Sequence, residues 1–402
     1  MEEEAQSPYD VVILGGGVAA LWTLRRLEAE GYRVALVCQG PLGGVQSLAA
    51  QGVIHGGLKY ALKGKLTDSS EALAAMPERW ASSLRGEGEI DLRKTEVLSD
   101  FQLLWSLPQV VSQVLTFFGG QVLQNRAQKI PRKDFPAPFD SSEYRGQLFR
   151  IGERVVDPVS LVRNLAEDSK ADLGMIPSQT RFRWESNEVG EVIRLELILE
   201  EGVTIPLKAR HWLFVAGAGN EALLTGVGRT MPEMQVRPLH QVVLRSEQLP
   251  SLFSVCMGTT PKPPVVTTTH RDAAGKRLWY VGGDLAETGV ERSEGDQIAF
   301  AQQRFRDLMP WIPWDAWNIE WSTYRVDRAE PFTGTGDRPA GAFCQTEGGV
   351  TTAWPTKLAL APHLADQVLE ILRKGRIFPS AHPEDGESRL PLPKPQMAEI
   401  AY

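Results

Sequence analysis

Residues 11–14, Val-Val-Ile-Leu, run straight into Gly15-Gly-Gly17-Val-Ala-Ala20, and a stretch with Leu21, Leu24 and Leu27 on one side follows. A short, wholly apolar run marks a strand buried on both faces of a parallel sheet. The glycines have separate tasks in such a strand–turn–helix unit. Gly15 permits the tight turn, Gly17 lets the backbone approach a pyrophosphate, and the small Ala20 lets helix and strand pack closely. The helix start then offers free N–H groups and a partial positive charge to phosphates. A second apolar strand at residues 34–37 completes a βαβ unit, so the chain must contain a Rossmann-like, dinucleotide-binding α/β domain. That unit ordinarily ends its second strand, about 20 residues past the glycines, on an acidic residue that holds a ribose. Here the place reads Val37-Cys38-Gln39-Gly40, so Gln39 or a backbone group takes that role.

The 402 residues exceed one core, since single cores stop growing near ~250–300 residues. Glycine-rich strand ends near positions 15, 217 and 348 make the cofactor domain discontinuous, over 1–70, 145–235 and 325–376. Residues 71–144 and 236–324 then form a substrate domain of α+β type with a mainly antiparallel sheet. Asp157-Pro158 reads as an N-cap and first helical position. Alternation over 192–199, a Glu-Glu-Gly turn and residues 203–207 read as a hairpin, and 211–215 as a separate buried strand. The last helix is expected over 355–374. Pro379, Pro383, Pro391, Pro393 and Pro395 make residues 377–402 an extended or disordered tail.

A net charge of −7 gives no basic footprint and argues against nucleic acid as a partner. The three cysteines, Cys38, Cys256 and Cys344, are far apart and in no metal-ligand spacing; they read as reduced thiols in a cytoplasmic protein. The N-terminal Met-Glu-Glu-Glu-Ala lacks the basic and apolar regions of a signal peptide. Trp311, Trp314, Trp317 and Trp321 invite a membrane-surface reading, but no basic amphipathic helix surrounds them, which favours core packing.

Residues 51–60, Gln-Gly-Val-Ile-His-Gly-Gly-Leu-Lys-Tyr, resemble the segment after the second strand in FAD-dependent glycerol-3-phosphate dehydrogenases and in L-2-hydroxyglutarate dehydrogenases or oxidases. Both groups lie in the wider D-amino-acid-oxidase-like class. Phe214-Val-Ala-Gly-Ala-Gly219 resembles that class's strand end beside the flavin, and Trp321-Ser-Thr-Tyr-Arg-Val326 its late substrate strand. Gly348-Gly-Val-Thr-Thr352 resembles its C-terminal glycine-rich loop and helix start. The resemblance implies FAD as cofactor, with Gly52, Gly56 and Gly217 against it. It also implies that a helix beginning at Gly349, Val350 and Thr351 points at the flavin's N1 and O2, where a helix N-terminus stabilises negative charge.

An enzyme of this class takes a hydride from a carbon bearing OH or NH, and the protein orients the substrate and manages charge. His55, between glycine turns, is the expected base or flavin contact, because an imidazole exchanges protons near neutrality. His240 is the second candidate. The resemblance implies that Arg325 anchors a small anionic substrate through its guanidinium fork. Lys59 stands where the glycerol-3-phosphate group has arginine, and attracts an anion without bidentate geometry. Oxygen or a quinone is the expected electron acceptor. Two alternatives stay open: an amine or amino-acid oxidase of the same fold, and a non-catalytic or partner-dependent flavoprotein subunit, suggested by Cys38 and Lys59.

Overall fold

The computed structural model describes residues 8–57, 68–110, 127–260, 262–272, 274–336, 339, 341–380 and 390–399. In the first sheet, strand Tyr9–Leu14 lies between Thr204–Phe214 and Val34–Gln39, parallel to both. Asp172–Ile176 and Val350–Trp354 continue the parallel order on either side, and Phe343–Glu347 closes one edge antiparallel. Alternate residues of the first strand enter two different cores. Val11 and Ile13 join Leu21, Leu24 and Leu364, whereas Val12 and Leu14 join Leu195, Leu207 and Phe214. None of the four is more than 3% exposed. This double burial is why residues 11–14 are apolar at every position. Helices Val18–Ala29 and Ala361–Lys374 cover the first of these faces.

The second sheet runs in the order Glu320–Pro331, Met234–Arg245, Arg277–Gly282, Val266–Arg271, Ser254–Met257, Gln102–Ser106, Leu148–Ile151 and Ala127–Lys129. All its pairs are antiparallel except Ser254–Met257 with Gln102–Ser106. Helix Glu294–Leu308 covers one face through Ala301, Phe305 and Leu308, which meet Val242, Leu244, Trp279 and Val281. The four tryptophans at 311–321 belong to this core, with Trp314 buried and the others packed against it. Asp157 caps helix Pro158–Glu167, accepting from Ser160 N–H at 2.7 Å, with Pro158 in the first turn as expected.

The sheets redraw the expected boundaries in several places. Leu148–Ile151 and the end of Glu320–Pro331 belong to the second sheet. Helix Asp68–Leu84 sends Leu73, Met76 and Trp80 into the first domain's core. The expected hairpin arm and buried strand are one strand, Thr204–Phe214. Its first half pairs antiparallel with Val192–Ile198 and its second half pairs parallel with Tyr9–Leu14. The proline-rich tail is docked where described. Leu390 and Leu392 pack at Gly174, Met175 N–H donates to the Pro393 carbonyl at 2.8 Å, and Met397 bridges to Leu42. Prolines ruled out a helix there without ruling out extended pairing.

Two buried histidines carry a pH consequence. His211, bonded to the Thr351 hydroxyl at 2.8 Å, and His270, bonded to that of Thr268 at 3.0 Å, are each pushed down to about 4 by burial. The unfolded chain binds these protons near its ordinary value of about 6.5, so the contribution of both groups is complete above that pH and is lost as pH falls toward 4. The thermal midpoint should therefore drop as pH is lowered from about 6.5 to 5, before most carboxylates titrate. The same scan on a His211→Asn/His270→Asn variant should be flatter; equal slopes would refute the assignment.

Candidate active site

The first strand, Thr204–Phe214 and Val350–Trp354 all end at one edge of the parallel sheet, and the turn at Gly15 lies on that edge. Gly15 has φ 140°, and a Cβ there would collide with the Val215 carbonyl, so only glycine fits. Gly16 backs onto Cys38 and Leu42, and Gly43 N–H donates to the Gly16 carbonyl at 2.8 Å. Gly17 is the N-cap of helix Val18–Ala29 and offers no side-chain cap. The Ser47 hydroxyl instead accepts from Val18 N–H at 3.0 Å, a contact the sequence reading missed. The first N–H groups of a helix have no intrahelical partner, and phosphate binding uses such groups. Ala20 is fully buried at the helix–sheet contact.

Gly217, with φ 60°, follows the neighbouring strand and lies against Gln46. Asn220 ties this edge together, accepting from Ala216 N–H at 2.7 Å and donating to the Ala353 carbonyl at 3.1 Å. At the end of the second strand, burial pushes the Cys38 thiol up to about 12, and the thiol donates to the Gly40 carbonyl at 3.3 Å. The Gln39 side chain is exposed and donates to the Ser178 carbonyl at 2.8 Å.

Residues 47–57 then cross from the first domain to the second sheet. Gln51 donates at 3.0 Å to the carbonyls of both Val266 and Tyr280. The Tyr280 hydroxyl donates to the Ala49 carbonyl at 3.0 Å and also meets Gln241 Oε1. Gly52, with φ 73°, presses against the Val156 carbonyl, where a Cβ would collide. His55 and Gly56 follow at once, and both meet Glu153. Its Oε1 accepts from Gly56 N–H at 2.8 Å, and its Oε2 lies 3.2 Å from His55 Nδ1.

Strand register separates the remaining candidates. Gln241 pairs with Tyr324, and His240 pairs with Arg325. Directly opposed residues share a face and neighbours along a strand alternate. Gln241, Tyr280 and Tyr324 therefore face the 47–57 segment, whereas His240 and Arg325 face helix Glu294–Leu308. Arg325 is exposed and spends its guanidinium on two backbone carbonyls, Val290 at 2.8 Å and Arg292 at 2.5 Å. The expected buried fork facing a substrate is absent at that residue. His240 is fully buried, donates from Nδ1 to the Gly289 carbonyl at 3.0 Å, and is held down in pKa by burial. Lys59 lies outside the described residues.

The expected helix at Gly349, Val350 and Thr351 is a correction. Glycines 348 and 349 turn a hairpin, and Val350–Trp354 is a fully buried strand that enters the sheet there. The β-branched Val-Thr-Thr run fits a strand better than a helix start. The helix begins later, with a 3₁₀ turn at Leu358–Leu360 running into Ala361–Lys374, which carries a proline in its first turn. That start follows the carboxyl end of Val350–Trp354, on the same edge as Gly15. Buried Lys357 and Thr356, at φ 59°, precede it, and neither was singled out from sequence.

Residues 10–361 match the FAD dependent oxidoreductase (DAO) family. A Pseudomonas aeruginosa protein described as "Probable FAD-dependent oxidoreductase PA4991" is 40% identical over 402 residues, covering 98% of this chain and 97% of its own. The chain belongs to the FAD dependent oxidoreductase family. The crystal structure of PA4991 superposes with a TM-score of 0.81 at 38% identity, over 98% of this chain and 97% of that one. Glycine oxidase from Geobacillus kaustophilus gives 0.64 at 16% identity, covering 94% and 99%. L-alpha-glycerophosphate oxidase from Mycoplasma pneumoniae, with FAD bound, gives 0.63 at 15%, covering 91% and 95%. These last two share the fold. FAD fits the residues of the glycine edge: a helix start whose N-cap glycine has no side chain, a turn only glycine can make, and small residues where phosphates approach. Among the described residues no helix is long and apolar enough to cross a membrane, and no cluster of three His, Cys, Asp or Glu could hold a metal.

Proposed function

We propose that this FAD-dependent oxidoreductase oxidises a small anionic substrate at a C–H bond beside an OH or NH, with His55 as the proton acceptor. The observation that carries the reading is the His55–Glu153 pair on the segment that joins the glycine edge to the second sheet. Bound FAD supplies the hydride acceptor. The chain's own residues bind, orient and deprotonate. The His55 ring is partly open to solvent, with 35% of its side chain exposed, and its Nδ1 is engaged by Glu153, so Nε2 is left for the substrate's O–H or N–H.

The anion-binding role moves from Arg325 to the opposite face of the same ribbon. Arg328 shares a face with Tyr324 and Val326, and Arg237 stands directly across from it. Arg237 bonds to buried Glu330 and keeps a buried Nη2 without a partner among the described residues. A guanidinium donor buried and unmet is costly until an anion reaches it.

The test is anaerobic reduction of the bound flavin by panels of 2-hydroxy acids, polyol phosphates, amino acids and their uncharged analogues. Reduction by an anion and not by its uncharged analogue supports the reading. Reduction by neutral alcohols or amines alone would overturn it. With the reducing substrate in hand, Arg237→Lys should raise half-saturation by about tenfold or more, because the ammonium keeps a charge beside Glu330 but loses the unmet Nη2 donor. Arg325→Ala should leave half-saturation unchanged and lower only the thermal midpoint. The reverse ranking would return the anchor to Arg325.

A further inference from the structure

The backbone around Glu153 places its carboxylate with little freedom. Ile54 N–H donates to the Arg154 carbonyl at 2.8 Å, and Val156 N–H donates to the Gly52 carbonyl at 2.9 Å. These bonds zip residues 52–54 against 154–156 and bring Glu153 beside the two residues that follow, His55 and Gly56. Both carboxylate oxygens are then used, one on the Gly56 amide and one on the His55 ring. The Glu153 side chain is only 12% exposed. A carboxylate only accepts hydrogen bonds, so the ring atom that meets it must carry a proton.

We propose that Glu153 is the positioning residue that locks His55 as the Nδ1–H tautomer, leaving the lone pair on Nε2. The proposal rests on the reading of His55 as proton acceptor and says which nitrogen accepts. When Nε2 takes the substrate's O–H or N–H proton, the ring becomes an imidazolium, and the Glu153 carboxylate balances its charge. Glu153 itself stays ionised and gives up no proton. The same carboxylate fixes the Gly56 amide, so ring orientation and loop conformation are set by one group.

The chemistry of Glu153→Gln makes a sharp forecast. Glutamine has one carbonyl oxygen and two N–H donors. It can accept from the Gly56 amide, and then turns its NH₂ toward His55 Nδ1. That nitrogen must become the acceptor, and the ring proton moves to Nε2. The isosteric change thus removes the lone pair from the atom that needs it while preserving shape.

The experiment uses the FAD-loaded full chain labelled with nitrogen-15 histidine, at mildly alkaline pH. The His55 signals are assigned by their loss in His55→Gln. Wild type should show protonated Nδ1 and unprotonated Nε2, and Glu153→Gln should show the reverse at unchanged FAD content. Flavin reduction should slow about 10- to 100-fold in Glu153→Gln. A wild-type ring protonated at Nε2 would overturn the proposal without any variant, and so would an identical tautomer in Glu153→Gln. If the tautomer switches but neither Glu153→Gln nor His55→Gln changes flavin reduction, Glu153 still positions the ring, and the reading of His55 as the base is what fails.

Discussion

Gly15→Ala is expected to destabilise the whole protein, and Gly17→Val to abolish FAD binding while leaving the fold intact. The two glycines stand two residues apart in one motif, yet different neighbours require them. At Gly15 the constraint is internal. The residue has φ 140°, and a methyl group would press into the Val215 carbonyl on the neighbouring strand. Held backbone strain costs roughly 1–3 kcal/mol, and overpacking a rigid contact about 1–3 more. Strand Tyr9–Leu14 cannot shift to relieve it, because both of its faces are filled. At Gly17 the backbone is ordinary, with φ −85°, and a Cβ would meet only the Ser47 hydroxyl at 3.0 Å. What a valine there obstructs is the approach of the pyrophosphate. Urea unfolding of the apoproteins and the flavin-to-protein absorbance ratio separate the cases. Gly15→Ala should lose stability by about 3 kcal/mol or more, and Gly17→Val should keep its midpoint and emerge colourless. A yellow Gly17→Val protein would sink the assignment of the pyrophosphate to this turn.

That contrast indicates what a sequence of this kind discloses. The glycine turn, the flanking strand and helix, and the Asp157 cap are local features whose chemistry is written in adjacent residues, and all form as read. The second sheet is mainly antiparallel, as expected, although its central strands carry contiguous apolar runs such as Val242–Leu244 and Leu278–Val281 rather than an alternating signal. The Gly349–Thr351 turn misled because Gly-Gly before a β-branched run suits a hairpin as well as a helix start. Only the cost of leaving the sheet edge unpaired decides between them. Arg325 and Tyr324 are adjacent in sequence and face opposite ways, so a one-residue difference exchanges a group on the face toward residues 47–57 for one on the face toward helix Glu294–Leu308. No local signal distinguishes them; pairing with Met234–Arg245 and cover by helix Glu294–Leu308 do. Glu153 was invisible for a related reason. It lies 98 positions from His55 and meets it only because residues 52–54 pair with 154–156.

The largest functional effect should come from His55→Ala. The ring is partly exposed, and its described polar partner is Glu153, so truncation leaves no large buried void and does not disturb the glycine edge. FAD content and thermal midpoint should therefore match wild type. The loss falls on proton transfer. Without the imidazole, the substrate's O–H or N–H must give its proton to water while the adjacent C–H bond breaks, and a positioned acid or base typically contributes about 100- to 10,000-fold. The proposed anion site lies elsewhere, on the ribbon that carries Arg328 and Arg237, so half-saturation should change much less than the limiting rate. Stopped-flow reduction of the flavin under anaerobic conditions reads both quantities, free of whatever acceptor reoxidises the enzyme. A second measurement tests whether the pair acts as one unit. If Glu153 works only through His55, then Glu153→Gln added to His55→Ala should slow reduction no further, because coupled residues are not additive. An additive double variant would show that Glu153 acts on the substrate or the loop independently. An unchanged limiting rate in His55→Ala would remove this histidine from the chemistry and direct the search for the base to Tyr280 and Tyr324, whose side chains share the face toward the same segment.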